Sequence, residues 1–224
     1  MQKLGAEENL QGYMPNCTCE SDKRLSEYNS HCRQEYIKHS LARFNSLKLG
    51  AYHFEYDTKP PRGWESAVEM SDKGRSLLLH GPSGCFKTTA LKRVALDLCL
   101  GRKIVRGGYV PSILKKLKNF DDDVDNYYEL LSDAEVLVLD DLDKLLGTQY
   151  EVERLLALVN HFSAMEKTML ITMNTDLEKF RSNMQRNQRN IPSDWIEAFI
   201  SRLMQNADIR LVSGVTGRAT TETL

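Results

Sequence analysis

The sequence predicts an α/β fold, a parallel sheet with helices on both faces, and three observations carry that expectation. Short apolar runs alternate with amphipathic stretches from residue 76 onward; a glycine-containing turn separates the first run from the first stretch; and a later apolar run ends in two carboxylates. Strands that alternate with helices are joined by crossovers, which makes the sheet parallel and covers both of its faces.

The elements follow in order. SLLLHG (76–81) reads as a short buried strand closing in a turn. TTALKRVALDLCLG follows as a helix, with Leu91, Val94, Ala95, Leu98 and Cys99 on one stripe and Gly101 as its stop. KIVRGGYV is a strand, and PSILKKLKNF is a helix opened by proline, whose missing N–H costs nothing in a first turn. VLVLDD (136–141) is a buried strand, EVERLLALVNHF an amphipathic helix, TMLITMN (168–174) a strand, and ADIRLV (207–212) the last one. The acidic run DDDVD (121–125) reads as a solvated loop.

A chain of 224 residues suits one such domain with a short appendage. Its 41% hydrophobic and 27% charged residues are ordinary for a soluble globular protein. Thirty basic residues against thirty-one acidic ones give a net charge of -1, so contact with nucleic acid would need a local patch. No apolar run approaches bilayer length and MQKLGAEENLQGY lacks a signal-peptide core, so a cytoplasmic location is expected. Five cysteines, an odd number without a secretion signal, argue against a disulfide framework.

Residues 1–63 differ from the rest. They are polar, rich in Tyr and His, and hold three Cys within sixteen positions, with a helix predicted over SDKRLSEYNSHCRQEYIKHSLARF. The prolines of TKPPRG restrict the residues before them and mark a boundary, giving an N-terminal segment 1–63 and a main domain 64–224.

The chemistry concentrates in GPSGCFKTT (81–89), which follows a predicted strand and opens a predicted helix. In that setting the backbone N–H groups of Gly81, Pro82 (which lacks one), Ser83, Gly84, Cys85, Phe86, Lys87, Thr88 and Thr89 wrap toward phosphate oxygens, and the helix N-terminus adds positive potential. Lys87 would reach the β- and γ-phosphates of ATP and Thr88 would ligate Mg2+. Phe86 stands where G-x-x-x-x-G-K-[ST] has its second glycine, a position where a Cβ can crowd the bend. VLVLDDLDK then sets Asp140 and Asp141 at a strand end; Asp140 would hold Mg2+ and Asp141 would orient or deprotonate the attacking water. Asn174 closes TMLITMN, where an amide can position the same water. Arg202 lies on a helix before the last strand and would act as an arginine finger on a neighbouring subunit's ATP.

Together these motifs resemble the AAA+ helicase loaders of the DnaC and DnaI type, phage-encoded relatives included, a family related to IstB-like ATPases. The resemblance covers roughly residues 60–218 through GPSGCFKTT, LVLDDLDK, LITMNT, FISRL and the tail GVTGR, on which Arg218 would also face the nucleotide. It implies a P-loop AAA+ (ASCE) fold with a five-stranded parallel sheet and little or no C-terminal lid. It further implies ATP-dependent assembly through Arg202, contact with single-stranded DNA, and a replicative DnaB-type hexameric helicase as partner. DNA contacts are expected near GGYVPSILKKLKNF, where Lys115, Lys116 and Lys118 cluster and Tyr109 could stack on a base; a solvated basic face balanced by DDDVD is the other reading. The segment around Cys17, Cys19, His31 and Cys32 resembles the cysteine-bearing helicase-docking region of such loaders. These four are candidate ligands of a Zn2+ ion, but C-x-C and adjacent H-C spacings bend poorly around one tetrahedral ion, which favours the other reading, free thiols. An IstB-like transposition ATPase and a nucleotide-binding adaptor without turnover are the alternative functions.

Overall fold

The computed structural model describes residues 23–49, 75–117, 122–145, 148–187, 191–205 and 207–213. Five strands, β1 (Ser76–His80), β2 (Val105–Tyr109), β3 (Val136–Asp140), β4 (Thr168–Met173) and β5 (Ala207–Leu211), form one sheet in the order β2-β3-β4-β1-β5. Every pairing is parallel. The helices are α1 (Lys23–Ser46), α2 (Lys87–Leu100), α3 (Val110–Leu117), α4 (Asp122–Ser132), α5 (Gln149–Ala164), α6 (Leu177–Asn187) and α7 (Ser193–Met204), with a 3-10 turn at Leu142–Lys144. All five predicted strands are present, and among the described residues no helix follows β5.

Alternation along the strands sorts their side chains into two cores. Leu78, Leu137, Leu139, Met169, Ile171 and Met173 point to one face, where residues of α3 to α7 close over them. Leu77, Leu79, Val136, Val138 and Leu170 point to the other, against Leu91, Val94, Ala95 and Leu98 of α2. Central strands covered on both sides cannot alternate apolar with polar, which is why VLVLD and TMLITM read as continuous apolar runs.

The last turns of α1 belong to the second core, since Phe44, Leu47 and Leu49 are buried within it. Tyr36 donates its hydroxyl to the Leu100 carbonyl at 2.6 Å, and the Leu47 carbonyl lies so close to Gly108 that a Cβ there would sit 2.2 Å from it. The C-terminal part of α1 is thus packed on the main domain. TKPPRG and the boundary at residue 63 lie outside the described residues.

Two readings of the sequence are corrected here. DDDVD is no loop, because Asp122 begins α4. Acidic residues suit a helix N-terminus, where unpaired N–H groups carry partial positive charge, and the later turns supply Tyr127, Tyr128 and Leu131 to the core. Asp125 pairs with Arg154 at 3.0 Å rather than with the lysines of α3. Helix α6 was not predicted at all: its apolar residues Leu177, Phe180 and Met184 are few, and a polar sequence surrounds them. The predicted helix α5 gains a signal of its own at Thr148 and Glu151, which form a capping box. Among the described residues no helix is long and apolar enough to cross a membrane.

Candidate functional site

The strand order sets β3, β4 and β1 side by side, so the residues following their C-terminal ends share one edge of the sheet. That edge is where parallel α/β sheets bind ligands. Here it collects the loop after β1, Asp140 and Asp141 after β3, and Asn174 after β4.

The loop is shaped by its backbone. Gly81 has φ +147°, and a Cβ on it would lie 2.1 Å from the Val212 carbonyl, so the turn packs directly on the end of β5. Phe86 caps α2 in the left-handed region, at φ 61° and ψ 18°. A phenylalanine there costs on the order of 1–2 kcal/mol that glycine would not. Its ring is 51% exposed, so the side chain points out of the loop and leaves the bend to the backbone. No side chain caps α2, whose first-turn N–H groups face the loop.

Lys87 is buried and donates from Nζ to the carbonyls of Gly81 at 2.9 Å and Pro82 at 2.7 Å. Burial lowers its pKa, against the opposing pull of Asp141, Asp143 and Asp140. A buried ammonium held only by loop carbonyls is a ready partner for phosphate oxygens.

Asp140 is 3% exposed and accepts at Oδ1 from Thr88 (2.9 Å) and Thr172 (2.7 Å). Burial pushes its carboxyl pKa up, while the two hydroxyls pull it down; Asp141 also raises it and Lys92 lowers it. A desolvated carboxylate bonded to hydroxyls, one of them from the residue after the loop lysine, fits a divalent cation. Thr172 escaped the sequence reading, although a hydroxyl inside an apolar strand was the signal for it.

Asp141 takes a left-handed backbone, φ 56° and ψ 50°, and its N–H donates to Thr172 Oγ1 at 2.9 Å. Its carboxylate accepts from Asn174 Nδ2 at 3.1 Å and pairs with Lys144 Nζ at 2.5 Å. Asn174 is also fixed through its own N–H, which donates to Asp143 Oδ1 at 3.0 Å. Neither Lys144 nor Asp143 was singled out in the sequence, because no motif marks them.

Arg202 is exposed in the last turn of α7 and donates to Gln205 at 3.0 Å. It precedes Ala207, which registers with Ser76 at the start of β1, whereas the phosphate loop follows the far end of that strand. Five residues of strand, roughly 16 Å at about 3.3 Å each, separate the two ends. Arg202 is therefore not brought to the loop of its own chain.

Tyr109 ends β2 in register with Asp140, and Lys144 Nζ lies 5.2 Å from its ring centroid. Lys115 and Lys116 are exposed on α3, and Lys116 sits over the Tyr127 ring at 4.6 Å. Lys118, Arg218, Cys17 and Cys19 lie outside the described residues. His31 and Cys32 are exposed neighbours on α1, whose side chains leave a helix in diverging directions. Among the described residues no three His, Cys, Asp or Glu side chains are gathered to hold a metal ion, so nothing there supports zinc.

A five-stranded parallel sheet with an uncapped helix behind a lysine-bearing loop, and a buried carboxylate facing that loop, defines a P-loop nucleotide-binding domain. The match of residues 77–193 to the model for the "ATPase family associated with various cellular activities (AAA)" spans over half of the chain, and the chain belongs to that family. It is accordingly an ATPase-family domain that uses ATP and Mg2+, with Lys87, Thr88 and Asp140 placed where these fit.

Solved structures share the fold. The chain is similar to the crystal structure of DnaI at TM-score 0.57 and 17% identity, covering 72% of this chain and 88% of that one. It is similar to the DnaC helicase loader at TM-score 0.50 and 19% identity, covering 76% and 99%. With AMPPCP-bound DnaA from Aquifex aeolicus the values are 0.55 and 13%, covering 69% of this chain and 47% of that one. No curated protein sequence matches the chain.

Proposed function

We propose that this protein is a cytoplasmic, ATP-dependent loader of a replicative DnaB-type hexameric helicase, in which ATP hydrolysis acts as a switch on single-stranded DNA. The observation that carries the reading is the opposition of Arg202 and the phosphate loop across the sheet. One chain holds both halves of a hydrolytic site but cannot join them, so a complete site needs a second copy, stacked head to tail.

Within a site so completed, the loop N–H groups and Lys87 bind the phosphates. Thr88 and Asp140 would hold Mg2+, which would supply positive charge against the phosphates. Asn174 orients the water, Asp141 accepts its proton as the water oxygen attacks the γ-phosphorus, and the bond to the β-phosphate oxygen breaks. Arg202 of the neighbour offsets the charge that develops, with Arg218 on the nucleotide side. Tyr109, Lys115, Lys116 and Lys118 form the DNA-contacting set, and residues 1–63 dock the helicase while 64–224 act as the ATPase.

Support for a loader over other AAA functions comes from the structural likenesses, which span nearly the whole of DnaI and of the DnaC helicase loader but about half of DnaA. A nucleotide-binding adaptor without turnover is disfavoured because Phe86 is 51% exposed to solvent rather than packed into the loop. Light scattering on the full chain mixed with a DnaB-type helicase tests the proposal. An ATP-dependent complex is expected. Its absence, with hydrolysis intact, would turn the reading toward an IstB-like ATPase, whose partner would be a transposase.

A further inference from the structure

Arg202 is held by a neutral partner. Its Nη1 donates at 3.0 Å to Oε1 of Gln205, the residue that caps the C-terminus of α7. Arg93, Arg154, Arg181 and Arg210 each pair with a carboxylate, whereas Arg202 has no ion pair among the described residues. An acid in place of Gln205 would orient the guanidinium and offset its charge. An amide oxygen orients it and leaves the charge whole.

Gln205 is itself fixed. Its backbone N–H donates to the Ser201 carbonyl at 3.0 Å, and its Oε1 also accepts from Ser163 Oγ at 2.9 Å, in the last turn of α5. A guanidinium only donates, so the side-chain atom facing it is the carboxamide oxygen, and the Ser163 hydroxyl on that atom donates as well. Ser163 is buried, and α5 and α7 both close over the first core, through Phe162 and Leu203. The bond from Ser163 thus ties Gln205 to elements whose positions the core already sets.

We infer that Gln205, anchored by Ser163, is a positioning residue for Arg202: it orients the exposed guanidinium before a second copy brings its nucleotide to it. This rests on the reading of Arg202 as a finger. A long side chain loses rotamer freedom when it is placed, and one already restrained loses less on meeting phosphate oxygens. One N–H of the planar fork is engaged by Gln205, which leaves the others for those oxygens. Gln205 acts through Arg202 alone.

The test is ATP hydrolysis by mixtures of two full chains that can turn over in one direction only. An acceptor with Arg202→Ala keeps its phosphate loop, and a donor with Asp141→Ala keeps Arg202 but loses its own turnover. Adding Gln205→Met to the donor removes the oxygen at nearly constant side-chain length. It is expected to lower the restored kcat at least about fivefold at unchanged KM. The same substitution in the acceptor is expected to change the restored rate by less than about twofold, because residue 202 of that chain is already alanine. A merely structural loss would act from either chain. A smaller fall from the donor, or an equal fall from both chains, overturns the positioning role and leaves Arg202 as the finger. No restored turnover in the parent mixture overturns the finger reading, and the positioning role with it.

Discussion

The Thr88 hydroxyl donates to Asp140 Oδ1 at 2.9 Å, joining the phosphate loop to the end of β3. Thr172 donates to the same oxygen, so a single buried acceptor organises three strands' worth of site. Because burial raises the Asp140 pKa, keeping it ionised opposes folding.

An Asn at position 140 retains that acceptor and sheds the charge. Asp140→Asn is expected to stabilise the nucleotide-free protein at pH 7 by on the order of 1 kcal/mol, roughly 2–4 °C in Tm. The sign with pH follows from the raised pKa: the penalty is absent below the ordinary carboxylate range and grows as pH rises through the folded value. The Tm gap between variant and wild type should therefore close on acidification toward about pH 4. Stabilisation by ATP with Mg2+ should be lost in the variant. Thermal melts across pH, with and without nucleotide, check both halves.

Phe86 sits in the left-handed region with its ring in solvent. Glycine would relieve the backbone cost but loosen the unfolded chain, and these effects oppose one another. Phe86→Gly is expected to change stability by less than about 1 kcal/mol and hydrolysis by less than about twofold. A rise of tenfold or more in kcat would mean that the ring reaches the phosphates and restrains the site.

Under the proposed role of Arg202 as a finger on another subunit's site, Arg202→Ala is expected to lower kcat by at least about a hundredfold while ATP binding is retained. Asp141→Ala should also lose turnover. Mixed together, the two variants are expected to regain activity, since Arg202 of one completes the intact loop of the other. Equilibrium nucleotide binding and hydrolysis of the mixture measure this; no recovery would place Arg202 outside the reaction.

Gly81→Ala is expected to cost more than about 2 kcal/mol, because its Cβ would meet the Val212 carbonyl at 2.1 Å in a backbone region that L residues avoid. Denaturant unfolding reads the loss directly.

Much of this architecture was legible in the sequence for a physical reason. Strands buried on both faces have to be apolar throughout, and carboxylates at the end of such a strand stand out against it. The loop, Asp140, Asp141 and Asn174 were found that way, and the sheet order brings them to one edge. What could not be read was contact between side chains distant in sequence. Lys144 looks like any surface lysine until the 3-10 turn sets it on Asp141, and Thr172 matters because β4 lies beside β3. Helix α4 was missed because an acidic run was judged by solubility rather than by the field of a helix N-terminus.

Steady-state ATP hydrolysis by the full chain, with and without single-stranded DNA, tests the central claim most directly. Measurable turnover that DNA accelerates is the predicted result, as expected of subunits that complete one another's sites when lined up on a strand. ATP bound with no turnover in either condition would contradict it and leave a tether rather than a switch.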